Sequence, residues 1–125
     1  MTGLSGRDIQ NLQSGAIILV NSTLTTISVG HTPSTLIFSN RSSIDMQCPF
    51  EVYDDTTVNV GHGTIPATSA LLFRFLNMDV SDAKVDGLGQ TTLEFSANCG
   101  IRIKSDNTGY ESYVLNTPAG VYLFY

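Results

Sequence analysis

Thr92-Leu93-Glu94-Phe95-Ser96-Ala97-Asn98-Cys99-Gly100-Ile101-Arg102-Ile103-Lys104 is the stretch that decides the fold. Leu93, Phe95 and Ala97 alternate with Glu94 and Ser96, and Ile101 and Ile103 alternate with Arg102 and Lys104. Successive strand side chains point to opposite faces, so a period of two puts the apolar set on one side. Asn98-Cys99-Gly100 between the two runs suits a tight hairpin. The stretch predicts two antiparallel strands, each with one face in a core and the other in water.

The same rhythm extends upstream. Ile44, Met46 and Cys48 share a face over residues 44–48, and Pro49 marks a bend or an edge. Further strands are predicted over 24–29, 35–38, 50–53 and 56–60, the last with Val58 and Val60 on one face. The apolar run 16–20 reads as a strand covered on both faces. In 70–80, Leu71, Phe73 and Phe75 share one parity and Leu76, Met78 and Val80 the opposite one. That switch predicts a strand with a bulge near Phe75-Leu76. Residues 61–69 are expected to be the longest irregular stretch, and 82–90 a polar loop with Val85 turned inward.

Downstream, Asp106-Asn107-Thr108-Gly109 is a turn, 110–115 a strand and 116–120 a turn. The last strand, 121–125, is expected to be paired inside a sheet. At the other end, Ser5-Gly6-Arg7-Asp8 has capping-box spacing, and Ile9 and Leu12 follow on one helical face. A short helix over 5–13, ended by Ser14-Gly15, is predicted. Val29-Gly30-His31 and Val60-Gly61-His62 echo each other 31 residues apart; the echo reads as two similar sheet corners or as chance. No helix is long enough to cross between parallel strands. The fold class is therefore all-β: an antiparallel β-sandwich of jelly-roll or Greek-key type with nine or ten strands. An N-terminal arm or short helix, 1–14, precedes a single domain, 15–125.

Six Lys and Arg stand against eleven Asp and Glu, a net charge of −5, and only 14% of the 125 residues are charged. Nucleic-acid binding is disfavoured, because a phosphate backbone needs a Lys/Arg surface. A polybasic membrane-surface role is disfavoured in the same way, and the aliphatic run 16–20 is far shorter than the ~20 residues that span a bilayer. Ser and Thr together number 27; they solvate strand faces without charge. The N-terminal residues show no cationic segment followed by an apolar one, so no signal peptide is expected. The sequons Asn21-Ser22-Thr23 and Asn40-Arg41-Ser42 are then inert. Cys48 and Cys99 read as buried thiols in a reducing cytosol, or as a disulfide between two strands.

No chemistry-bearing pattern emerges. His31, His62, Cys48 and Cys99 lack the ligand spacing of a zinc site. Asp79, Asp82 and Asp86 cluster but do not follow a calcium-loop pattern, and Lys84 opposes a cation. Gly87-Leu88-Gly89 has no following helix to make a dinucleotide site. No spacing singles out a catalytic triad or a carboxylate pair. The expectation is a protein without cofactor, metal or catalytic residues.

In composition and strand rhythm over its whole length, the chain resembles the capsid decoration (cement) proteins of tailed phages. The resemblance implies a non-enzymatic structural protein of a virion, made in the host cytoplasm. It would bind the major capsid protein or another virion protein as a homo-oligomer, a trimer being favoured. The implied contact segments are the arm 2–15 and the loop 61–69. The candidate partner-binding residues there are Leu4, Arg7, Ile9, Leu12, His62, Ile65 and Pro66. The competing expectation is a carbohydrate- or receptor-binding head domain of a phage fibre or tail.

Overall fold

Ten antiparallel strands form two five-stranded sheets in a computed structural model that describes residues 6–30, 33–105 and 112–125, the side chains of 6–9 excepted. The strands are β1 (Leu24–Ser28), β2 (Ser34–Phe38), β3 (Ser43–Met46), β4 (Pro49–Tyr53) and β5 (Val58–His62). They continue as β6 (Asp82–Val85), β7 (Thr91–Ser96), β8 (Cys99–Ile103), β9 (Tyr113–Thr117) and β10 (Gly120–Phe124). One sheet runs β1-β2-β3-β9-β10 and the other β5-β4-β8-β7-β6. The apolar alternation read at Ile44 and Met46, Leu93 and Phe95, and Ile101 and Ile103 faces inward, whereas that of Val58 and Val60 faces out. Leu36, Phe38, Ile44, Met46 and Leu115 from one sheet share a core with Phe50, Val52, Leu93, Ile101 and Ile103 from the other. This is the antiparallel sandwich expected, with one short helix, α1 (Gly6–Ala16), at its N-terminal end.

The topology has an internal twofold. Strands β1–β3 form a meander and β4–β5 a hairpin; β6–β8 and β9–β10 repeat this, and each sheet joins one repeat's meander to the other's hairpin. The registers agree residue by residue. Ser34 opposite Met46 corresponds to Thr91 opposite Ile103, and Phe50 opposite Gly61 to Tyr113 opposite Phe124. Between repeats, Met46 opposite Tyr113 corresponds to Ile103 opposite Phe50. At the axis, the Asn21 N–H donates to Val80 O (2.8 Å) and the Asn77 N–H to Leu24 O (2.7 Å). Val80 N–H to Ser22 O (2.8 Å) is matched by Leu24 N–H to Met78 O (3.0 Å).

Backbone conformation repeats as well. Among the described residues, the non-glycine positions with positive φ are Asn21 (70°), Asn77 (67°), Arg41 (70°) and Asn98 (59°). They are two equivalent pairs. Asparagine tolerates this left-handed region better than most residues, which accounts for three of the four. The sequence carries the repeat most clearly where Thr35-Leu36-Ile37-Phe38-Ser39 aligns with Thr92-Leu93-Glu94-Phe95-Ser96, and Ile44 with Ile101.

Each repeat opens with a helical segment that closes one side of the sandwich. Helix α1 passes into a 3-10 turn, Ile17–Leu19, and packs on β6, β9 and β10. A longer 3-10 helix, Pro66–Phe75, packs on β5 and β1. Both replace predicted strands. The run 16–20 buries Ala16 and Leu19, three residues apart, and the second segment buries Ser69, Leu72 and Phe75 at the same interval. Short apolar runs fit buried helix as well as strand. Pro66 at the helix start settles the second case, its φ being preset for a first turn.

Other expectations shift too. Residues 82–85 are strand β6 rather than loop, with Ala83 and Val85 inward. The stretch 61–69 is divided between the end of β5 and the 3-10 helix. β10 lies at the edge of its sheet, paired with β9 alone among the described strands. Gly30 sits in the loop after β1, whereas Gly61 is inside β5 with the Phe50 ring filling the space a side chain would take; the two Val-Gly-His stretches are not equivalent corners. The turn 106–109 and His31 lie outside the described residues. Cys48 and Cys99 are not joined by a disulfide; Cys48 is buried and Cys99 half-buried.

Candidate interaction surface

The sheets have four edges, and the sequence treats them in two ways. β6 is covered: the Gln13 side chain on α1 donates from Nε2 to Ala83 O (2.8 Å) and accepts at Oε1 from the Val85 N–H (2.7 Å). One side chain thus takes the place of a neighbouring strand, and Asp82 and Lys84 add charge along that edge. β1 is broken by a register shift between Leu24 and Thr26 and shows Thr25 and Thr26 to solvent. Bulges, charges and covering elements are the usual means of blunting an edge.

β5 and β10 have neither charge nor bulge. Val58 and Val60 are exposed on β5, Val121 and Leu123 on β10, Val60 at 64% and Val121 at 62%. The two pairs are equivalent under the internal twofold. Their backbone groups face the open edge. The Gly63 N–H bonds Cys48 O, towards β4, while the His62 N–H bonds Thr68 Oγ1 (3.0 Å) on the 3-10 helix. Because ladder bonds alternate, Val60 and Val58 point the same way as His62, away from β4. On β10 the Ser112 N–H donates to Phe124 O, so Val121 and Leu123 point away from β9. Ile17 and Phe73, also equivalent, add further exposed apolar surface on the two helical segments.

Behind β5 the outer face of its sheet is polar and fixed. Glu51 Oε2 is 3.0 Å from Lys104 Nζ, and its Oε1 accepts from Arg102 at 3.2 Å. The Lys104 hydrogen bond, helped by Arg102 and opposed by partial burial, holds the Glu51 carboxyl below its ordinary value. The Arg102 guanidinium lies 4.0 Å from the Tyr53 ring centre, and burial pushes the Tyr53 phenol up. At the β4–β5 turn, Asp54 Oδ1 accepts from the Thr56 and Thr57 N–H groups, both at 2.9 Å. Those bonds, with the Thr57 hydroxyl and Arg74, hold its carboxyl far below the carboxylate range. Arg74 also reaches Cys99 Sγ at 3.5 Å, a contact that no sequence spacing announced.

The sequence-derived contact residues are scattered. Ile65 and Pro66 are exposed at the turn into the 3-10 helix. His62 is half-buried, its Nδ1 accepting from the Thr64 N–H (3.1 Å) and lying 2.8 Å from Thr64 Oγ1. Leu12 is 8% exposed and packs in the core of its own chain. Arg7 and Ile9 lie on α1, and Leu4 lies outside the described residues. The structure therefore gathers His62, Ile65 and Pro66 beside β5 and does not join them to Leu12. Sequence reading passed over Val58, Val60, Val121 and Leu123 as partners because a period-two apolar face looks the same whether it is covered or open.

A shallow, open depression of about 390 Å3 lies on the outer face near β6, lined by Asp82, Lys84, Val85, Asp86, Thr92 and Glu94. No group of three or more metal-binding side chains comes together among the described residues, and no described helix is long and apolar enough to cross a membrane. Comparison with family models, with curated proteins and with solved structures found no match.

Proposed function

We propose that this chain is a non-enzymatic structural protein of a virion, a capsid decoration module that binds neighbouring capsid subunits as a symmetric oligomer, with a trimer favoured. The observation that carries the reading is the pair of uncharged apolar edges, β5 and β10, on a rigid sandwich. Exposed apolar side chains on an open strand edge suit association with other proteins. The exposed turn at Ile65 and Pro66 beside β5 widens the contact area on that side.

The test adds purified chain to capsids that lack it and follows their disruption by heat. Binding in a fixed copy number, with later disruption, supports the proposal. A chain that neither binds nor protects overturns it. Glycan-array binding that depends on calcium would instead favour a receptor-binding head.

A further inference from the structure

We infer that the chain is bivalent for itself: the β10 edge of one copy pairs with the β5 edge of the next. This deepens the assembly reading above and rests on it. The two edges are the same position in the internal repeat, Val58 matching Val121 and Val60 matching Leu123. Each is five residues long. An unpaired strand edge is completed by another strand edge, and each copy carries both halves of that match.

The occupant is a second copy on grounds of charge and of precedent within the molecule. Neither β5 nor β10 contains Lys, Arg, Asp or Glu, in a chain of net charge −5 with histidine neutral, and His62 is the one histidine on them. An anionic partner would find no cation on either edge, and a basic one no carboxylate. A neutral edge of the same length and apolar spacing fits both, and this chain supplies one. Its repeats already associate by antiparallel strand pairing, β3 with β9 and β4 with β8. β1 and β6, by contrast, are blunted or covered; on β5 only His62 is taken, by the Thr68 hydroxyl, so growth is directed to the Val58–Val60 stretch and to β10. Head-to-tail contacts of this kind close into rings or run on as filaments.

The experiment measures the mass of the full chain by sedimentation over a range of concentrations, with Val60→Lys, Leu123→Lys, both together, and Thr25→Lys on β1 as a control. All three positions are at the surface, and near-ultraviolet circular dichroism confirms the fold. The wild type and Thr25→Lys form species of three or more copies. Each single edge variant alone is monomeric, because it lacks one half of the β10–β5 match. Mixing the two single variants yields a dimer through the one intact edge of each, and the double variant is monomeric. A wild type that remains monomeric, or that stops at a dimer, overturns bivalency. So does a double variant as large as the wild type. Capsid binding by a monomeric wild type would sink this inference and leave the capsid reading standing.

Discussion

Thr23 and Asp79 face each other across the internal twofold axis, the Thr23 Oγ1 donating to Asp79 Oδ1 at 2.5 Å. They are equivalent positions in the two repeats, occupied by different residues. A strictly symmetric pair would oppose two like groups here, whereas a hydroxyl and a carboxylate satisfy each other. Asp79→Ala removes the bond at an exposed site and is expected to cost about 0.5–1.5 kcal/mol, read as a shift in the urea midpoint without a change in slope.

Leu36 and Leu93 occupy matched positions and are both fully buried. Leu36→Ala and Leu93→Ala should each lose about 2–5 kcal/mol. If the repeats are mechanically alike, the two losses lie closer together than the ~2 kcal/mol spread found among buried leucines in unlike surroundings. Chemical denaturation of both variants tests this.

Gly61 lies under the Phe50 ring, where the other repeat stacks Tyr113 on Phe124 with ring centres 4.1 Å apart. One repeat fills the space with a large and a small residue, the other with two rings. Gly61→Ala would drive a methyl group into the Phe50 ring, and overpacking of this kind costs about 1–3 kcal/mol. The double variant Gly61→Ala with Phe50→Leu should recover part of it; equal stability of the single variant and wild type would contradict the packing described.

Glu51 gives a pH signature. Its carboxyl is held below the ordinary value of 4.5 by Lys104 first and Arg102 next. A depressed folded-state value means that the unfolded chain binds more protons in this range, so stability rises with pH. The Glu51 contribution is complete above pH 4.5 and is lost as the pH falls below it. Glu51→Gln should flatten that part of a stability–pH profile measured by denaturation.

Gln13 is the fifth test. Gln13→Ala strips β6 of both edge bonds and leaves the Val85 N–H and Ala83 carbonyl without that partner. A loss of about 1–3 kcal/mol follows if those groups stay buried, with faster hydrogen exchange at Val85.

Strand identity was legible wherever one face meets water. Leu93, Phe95, Ile101 and Ile103 are buried as their alternation demands. Two apolar segments misled, because continuous burial erases the period that separates helix from strand: Leu19 and Phe75 belong to 3-10 turns. The twofold was hidden for a different reason. A longer connection between β8 and β9 than between β3 and β4 shifts the spacing of equivalent residues from 57 to 63, as Ile44 to Ile101 and Phe50 to Tyr113 show. Only Thr35–Ser39 and Thr92–Ser96 keep a run of matches; elsewhere identity is isolated, as at Ile44 and Ile101 or Asn21 and Asn77. As for the edges, Val58 and Val121 differ from core valines by what lies opposite them, which is a property of topology.

The exchange of hairpins between sheets reaches beyond architecture. Neither repeat owns a sheet, since each sheet draws three strands from one and two from the other. Peeling away either half strips both layers at once. The polypeptide should therefore melt in one step, with no surviving fragment to serve as a refolding template or as prey for a protease while its counterpart is open.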